Sequence, residues 1–132
     1  GVIGAPLTVL IVEDDVLIAE EYRLCVEEMG WDVLGPASNC NAALTLLELR
    51  APSIGLLDMN LRRELVTSVA VALKVLGIPF IMASGCHDLV AVGGPVFMGA
   101  QNVGKPVTDQ ALARALREAL ENFTLRVSAS SA

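Results

Sequence analysis

The sequence predicts an α/β domain, a doubly wound parallel sheet covered by helices on both faces. Three observations carry this. Short apolar runs alternate with stretches of helical periodicity five times along 132 residues. The connections between them are short, and the runs are apolar throughout, as strands buried on both faces must be. A chain of this length fits one core. With 54% apolar but only 4% aromatic residues, that core is built mostly from Val, Leu, Ile and Ala, which is ordinary for layered α/β domains.

LTVLIV at 7–12, bounded by Glu13, Asp14 and Asp15, reads as strand one. From Val16 to Met29, the residues Leu17, Ile18, Tyr22, Cys25, Val26 and Met29 recur at helical spacing, and Gly30 supplies the stop. WDVLGPA (31–37) is a short strand and turn, Ser38 or Asn39 caps a helix over 41–50, and Pro52 ends it. SIGLLDMN (53–60) is strand three, Glu64 to Leu76 is helix three closed by Gly77, and IPFIMAS (78–84) is strand four. Within 85–101, Gly93, Gly94, Pro95 and Gly99 interrupt any long helix, so helix four is expected to be short or irregular. A brief strand around Gln101 to Gly104 leads into Lys105 and Pro106, and Thr108 caps a final helix, DQALARALREALENF, rich in strong helix formers. The domain is expected to span 7–123, with 1–6 and 124–132 as flexible tails.

The formal charge of −6 and nine scattered Lys and Arg exclude the basic stripe that grips a phosphate backbone, so no direct nucleic-acid binding is expected. Cys25, Cys40 and Cys86 are odd in number and lack metal-ligand spacing, which argues against disulfides and zinc. No apolar run approaches the roughly 18 residues of a membrane span. A soluble, cytoplasmic protein without membrane contact is expected.

In a parallel sheet of this kind ligands gather at the carboxyl ends of the strands. Glu13, Asp14 and Asp15 follow strand one, Asp58 strand three, Ser84 strand four and Lys105 strand five, so all converge on one edge. Crowded carboxylates raise one another's pKa, and a hard divalent cation relieves them. Mg²⁺ suits best, because it accepts one or two carboxylates and a carbonyl while keeping several waters. A lysine and a serine beside it match the oxygens of a phosphoryl group. Nucleophilic carboxylate, metal, cation and hydroxyl together are the parts of a phosphoryl-transfer site.

At these residues the sequence resembles the receiver domain of two-component response regulators, from Leu7 to Phe123. In VLIVEDD the acidic pair falls on Glu13 and Asp14, which the resemblance makes metal-site residues. In GLLDMN, Asp58 matches the phosphorylated aspartate and Asn60 the position that offers its backbone carbonyl to the metal. Ser84 of IPFIMASG matches the Ser/Thr switch residue, and Lys105 of VGKPV the lysine that contacts the phosphoryl group. The run PFIMASGC also resembles the PFxFATGY signature of a subgroup that includes stand-alone receivers, with Met82, Ser84 and Cys86 as departures. The family's switch aromatic would fall at Asn102.

The resemblance implies a flavodoxin-like (βα)5 fold with strand order 2-1-3-4-5. It implies a phosphoacceptor signalling domain rather than a turnover enzyme. Its partners would be a sensor histidine kinase or histidine phosphotransferase and an unidentified downstream protein. Bland readings stand beside these. Asp15 reads as an N-cap, and Ser84 or Lys105 taken alone would be a loop hydroxyl and a surface charge. His87 reads as a local hydrogen-bonding residue, and Cys86 as a steric one near the switch serine. Two rival functions remain open: a degenerate receiver that binds partners without phosphorylation, and a haloacid-dehalogenase-like phosphatase. The latter carries a second acid two residues past its nucleophile, where this chain has Asn60.

Overall fold

A computed structural model describes residues 6–131. Its main sheet is built on β1 (Thr8–Val12), which is buried along its whole length. β1 lies parallel between β2 (Asp32–Ala37) and β3 (Ile54–Leu57), and β6 (Phe80–Met82) pairs parallel with β3, giving the order β2-β1-β3-β6. This is the expected doubly wound order up to the fourth place. The fifth place differs: the strand expected over Gln101 to Gly104 is a single parallel bridge between Met82 and Asn102. Gly104 takes a left-handed φ of 82°, which turns the chain away before a second pair can form.

Because successive residues of a strand point to opposite faces, β1 feeds two cores. Leu10 and Val12 pack with Ala43 of α2 (Cys40–Leu49), with Val69, Ala70 and Leu73 of α3 (Thr67–Val75), and with Phe97. Val9 and Ile11 pack on the other face with Tyr22, Cys25 and Val26 of α1 (Val16–Glu28) and with Leu112, Ala115 and Leu116 of α5 (Asp109–Ser131). The sheet is thereby covered on both sides, which is why its strands are apolar at every position.

The caps agree with the sequence. Asp15 Oδ1 accepts from the N–H of Leu17 and Ile18 at 2.9 and 3.1 Å, Asn39 Oδ1 from Ala42 at 2.8 Å, and Thr108 Oγ1 from Ala111 at 3.1 Å. Helix four is short as expected: α4 (Leu89–Gly93) gives way at Gly94 to a 3₁₀ turn over Pro95–Phe97. Its Phe97 meets Phe80 edge-to-face at 6.0 Å, an arrangement that suits the ring quadrupoles. Gly35, beside the register shift of β2, sits at φ +97°, where an added Cβ would lie 2.7 Å from Ala37 N and 3.1 Å from Ile11 O. Backbone blocks both directions, so only glycine fits.

Two further expectations are corrected. Helix three does not start at Glu64. Residues 60–65 form an antiparallel hairpin of β4 (Asn60–Leu61) and β5 (Glu64–Leu65), and α3 begins at Thr67. The hairpin forms because its own apolar residues are needed below it: Met59, Leu61 and Val66 are all buried, and the Val66 N–H closes onto the Met59 carbonyl at 2.9 Å. Arg62 at its tip adopts a φ of 58°. Residues 124–131 are likewise not a tail, since α5 continues through them to Ser131; once a helix is nucleated each added residue fixes few dihedrals for one more hydrogen bond. The expected tail residues 1–5 and 132 lie outside the described residues. Among the described residues no helix is long and apolar enough to cross a membrane.

Candidate functional site

Only four polar or charged residues among those described are buried, and three of them, Glu13, Asp58 and Ser84, follow the carboxyl ends of β1, β3 and β6. The ladder holds their backbones in register. The Asp58 N–H donates to the Val12 carbonyl at 3.0 Å, the Ala83 N–H to Leu57 at 2.9 Å, and the Glu13 N–H to Ala37 at 2.9 Å.

One carboxylate oxygen from each of Glu13, Asp14 and Asp58 lies within 4.8 Å of the others. Lys105, on the turn before α5, reaches into this group and donates to Glu13 Oε1 at 2.7 Å and to Asp58 Oδ2 at 3.0 Å. The second Glu13 oxygen accepts the Asp15 N–H at 3.0 Å. Asp14 is the more exposed acid, with Arg62 Nε at 3.5 Å. The structure therefore brings together Glu13, Asp14, Asp58 and Lys105, and assigns Asp15 to the helix cap. Asn60 opens β4 two residues beyond Asp58, where it is exposed and pairs with Leu65. Ser84 Oγ accepts the Cys86 N–H at 3.1 Å, Cys86 is half-buried, and His87 is exposed outside this network.

The electrostatics follow from burial. Burial raises the Glu13 carboxyl above its ordinary range despite hydrogen bonds from Lys105 and the Asp15 N–H, and the Asp58 charge adds to the rise. Burial works against the Lys105 charge too, but its hydrogen bonds to Glu13 and Asp58 outweigh that and hold the ammonium above its usual pKa. Glu13 and Asp58 share one half-buried lysine, and Asp14 has the exposed Arg62 beside it at 3.5 Å, so the three acids outnumber the cations around them. All donors are hard oxygens, and the set fits a small divalent cation such as Mg²⁺ rather than a soft-ligand metal.

Tyr22, the one tyrosine of the chain, reports on the same field. Burial, followed by the Glu13 charge, pushes its phenol up to about 12. A group whose folded pKa exceeds its unfolded value of about 10 holds its proton where the unfolded chain has lost it, so stability falls as pH rises through that window. The raised Lys105 acts in the same direction, its contribution being complete below the ordinary lysine pKa. Ultraviolet difference titration is expected to show one tyrosinate transition near 12. Urea melts are expected to lose roughly 2 kcal/mol between about pH 10 and 12.

Sequence reasoning missed two residues here. Arg62 escaped because LRRE carries no Gly, Asn or Asp to mark a hairpin tip. Asn102 was located only as a position lacking an aromatic ring. Its side-chain amide in fact bonds Ser84, Cys86 and Gly104, a pattern that depends on loop geometry invisible in a string of residues.

No family model matches the chain, and no curated protein matches its sequence. Solved structures do. A CheY-like response regulator receiver domain from Methanospirillum hungatei JF-1 is 25% identical, with a TM-score of 0.80 over 92% of this chain and 99% of that one. The signal receiver domain of a modulated diguanylate cyclase from Desulfovibrio desulfuricans G20 is 28% identical, with a TM-score of 0.80 over 93% and 99%. The signal receiver domain of an HD domain-containing protein from Pseudomonas fluorescens Pf-5, at 19% identity, shares the fold with a TM-score of 0.79 over 97% and 96%. The fold is that of the CheY-like receiver domains, flavodoxin-like and spanning most of the chain. The chain thus has the fold of response-regulator receiver domains.

Proposed function

We propose that this receiver accepts a phosphoryl group on Asp58 from a phosphohistidine of a sensor histidine kinase or histidine phosphotransferase in the cytoplasm. It then signals through another protein's response to the changed surface or through onward transfer. The observation that carries this reading is the buried Asp58 carboxylate, with Lys105 Nζ at 3.0 Å and two further acids within 4.8 Å.

A carboxylate oxygen of Asp58 attacks phosphorus, the P–N bond breaks and the imidazole leaves with the bonding pair. Lys105 already donates to this carboxylate and supplies a fixed positive charge for the incoming phosphoryl oxygens. Ser84 Oγ is held by the Cys86 N–H as an acceptor, so its own proton is free to be donated. Glu13, Asp14 and Asp58, with the Asn60 carbonyl, are the residues that would hold Mg²⁺, whose chemistry is to neutralise charge on the transferring phosphoryl. The product adds roughly one negative charge at Asp58, which redistributes the hold of Lys105 between Glu13 and the new oxygens. The chain is a phosphoacceptor in this reading, limited to one transfer and its reversal by hydrolysis.

A second reading, a phosphorylation-independent binding module, is favoured by the reduction of the fifth strand to one bridge. Beryllofluoride, which mimics a carboxylate-bound phosphoryl group, separates the two. Saturable binding that requires Mg²⁺ is the expected result. No binding at millimolar beryllofluoride with Mg²⁺ present would sink the phosphoacceptor reading, and turnover of a small phosphoester would point to a phosphatase.

A further inference from the structure

The exposed side chain of Asn102 uses its entire hydrogen-bonding capacity inside the chain. Oδ1 accepts from the N–H of Ser84 and of Gly104, both at 3.0 Å. Nδ2 donates to the carbonyls of Ser84 at 3.1 Å and Cys86 at 3.2 Å. A side-chain amide has two donor hydrogens and two acceptor lone pairs, so nothing is left over for solvent or a partner. The bonds fall on two loops. Ser84 and Cys86 belong to the turn after β6, while Gly104 is the residue before Lys105.

Asn102 is also the bridged residue of the fifth place in the sheet. Its backbone neighbours tie to Met82 through the Met82 N–H to the Gln101 carbonyl at 2.8 Å and the Val103 N–H to the Met82 carbonyl at 2.9 Å. Two backbone bonds are a thin attachment, and the Asn102 amide doubles it one step nearer the acids. We infer that Asn102 is a positioning residue that straps the Ser84 loop to the Lys105 turn. The two groups that meet the phosphoryl oxygens in the proposed function are thereby placed, and moved, together. The inference rests on that reading for its consequence at Asp58 but on the four hydrogen bonds alone for the strap.

The chain of contacts is continuous. The Ser84 hydroxyl oxygen is set by the Cys86 N–H, and the Cys86 carbonyl is held by Asn102. Asn102 shapes the Gly104 turn as an Asx-type bond to the residue two on. The next residue, Lys105, ends at Asp58 and Glu13. A pull on the Ser84 loop is therefore delivered to the turn that opens α5, without an aromatic side chain in the path.

The test uses the full chain and two variants, Asn102→Ala and Asn102→Asp. The aspartate keeps the shape and the acceptor oxygen but sets a carboxylate against two carbonyls. Amide hydrogen exchange is expected to show protected Ser84 and Gly104 N–H groups in the wild type. Protection should fall at least about tenfold at both in Asn102→Ala, roughly one hydrogen bond's worth, and by less in Asn102→Asp, which keeps the acceptor but loses both donors. Beryllofluoride affinity at saturating Mg²⁺ is expected to fall about tenfold in Asn102→Ala. A folded Asn102→Ala that keeps protection at both amides, or that binds beryllofluoride as tightly as wild type, overturns the inference. A wild type that binds no beryllofluoride defeats the phosphoacceptor reading instead, and the exchange result then decides the strap by itself: lost protection supports it and retained protection overturns it.

Discussion

Asp58→Asn is expected to take up no acid-labile phosphate from acetyl phosphate or a phosphohistidine donor under conditions expected to label the wild type stoichiometrically. The amide is a poor nucleophile, and the neighbouring carboxylates are less well placed to take over. Glu13 shares the lysine but has its second oxygen tied to the Asp15 N–H, and Asp14 faces the exposed Arg62. The substitution nonetheless leaves the fold in place. It removes the 3.0 Å ion pair with Lys105 but also relieves repulsion from two neighbouring acids. Opposed effects of this kind leave a net change within about 1 kcal/mol, to be read from urea melts. Stoichiometric labelling of the folded variant would show that another residue is the acceptor.

Lys105→Met is expected to cost the chain about 3 kcal/mol at neutral pH in EDTA, because it strands buried carboxylates that share this cation. Glu13 is 2% exposed and Asp58 6%, too little for water to compensate. The deficit should respond to two conditions in defined directions. A raised folded-state pKa at Glu13 means that the folded chain holds a proton that the unfolded chain releases. The Glu13 contribution therefore grows more favourable as pH falls toward the acid range, and acidification narrows the gap between variant and wild type. Saturating Mg²⁺ should narrow it as well, since the dication supplies positive charge that the variant lacks and so stabilises the variant more than the wild type. Urea melts of both proteins, with and without Mg²⁺, at neutral and mildly acidic pH, give the comparison. A deficit indifferent to both conditions would mean that Lys105 is not balancing these carboxylates.

The parts of this domain visible in its sequence are those governed by short-range rules. The unbroken apolar run at 7–12, the helical spacing from Val16 to Met29 and the caps at Asp15, Asn39 and Thr108 each follow from backbone sterics and local hydrogen bonding. The convergence of Glu13, Asp14, Asp58 and Lys105 was equally legible, since it needs only the parallel order and the position of each residue at a strand end. What escaped required long-range information. The segment at 60–65 has fair helix formers but is drawn into a hairpin because Met59, Leu61 and Val66 fill one core, a tertiary demand that overrides propensity. Glu64, read as the start of a helix, instead accepts the Cys40 N–H at 3.1 Å at the beginning of α2. Residues 124–131 look frayed by their Ser and Ala content, yet the helix before them runs on, and Thr124 Oγ1 donates back to the Leu120 carbonyl at 2.9 Å.

Both flanks of the main sheet are poor templates for strand addition. On one, β2 carries Pro36, which has no N–H to offer, beside the register shift at Gly35. On the other, the bridged Asn102 leaves less than one turn of extended backbone open. An incoming extended peptide would find few ladder positions on either side, so neither border invites copies of the chain to zip into fibrils. Recognition of this domain is then expected to be written in side chains on its helices and loops, the surfaces that the proposed change in charge at Asp58 would be best able to reshape.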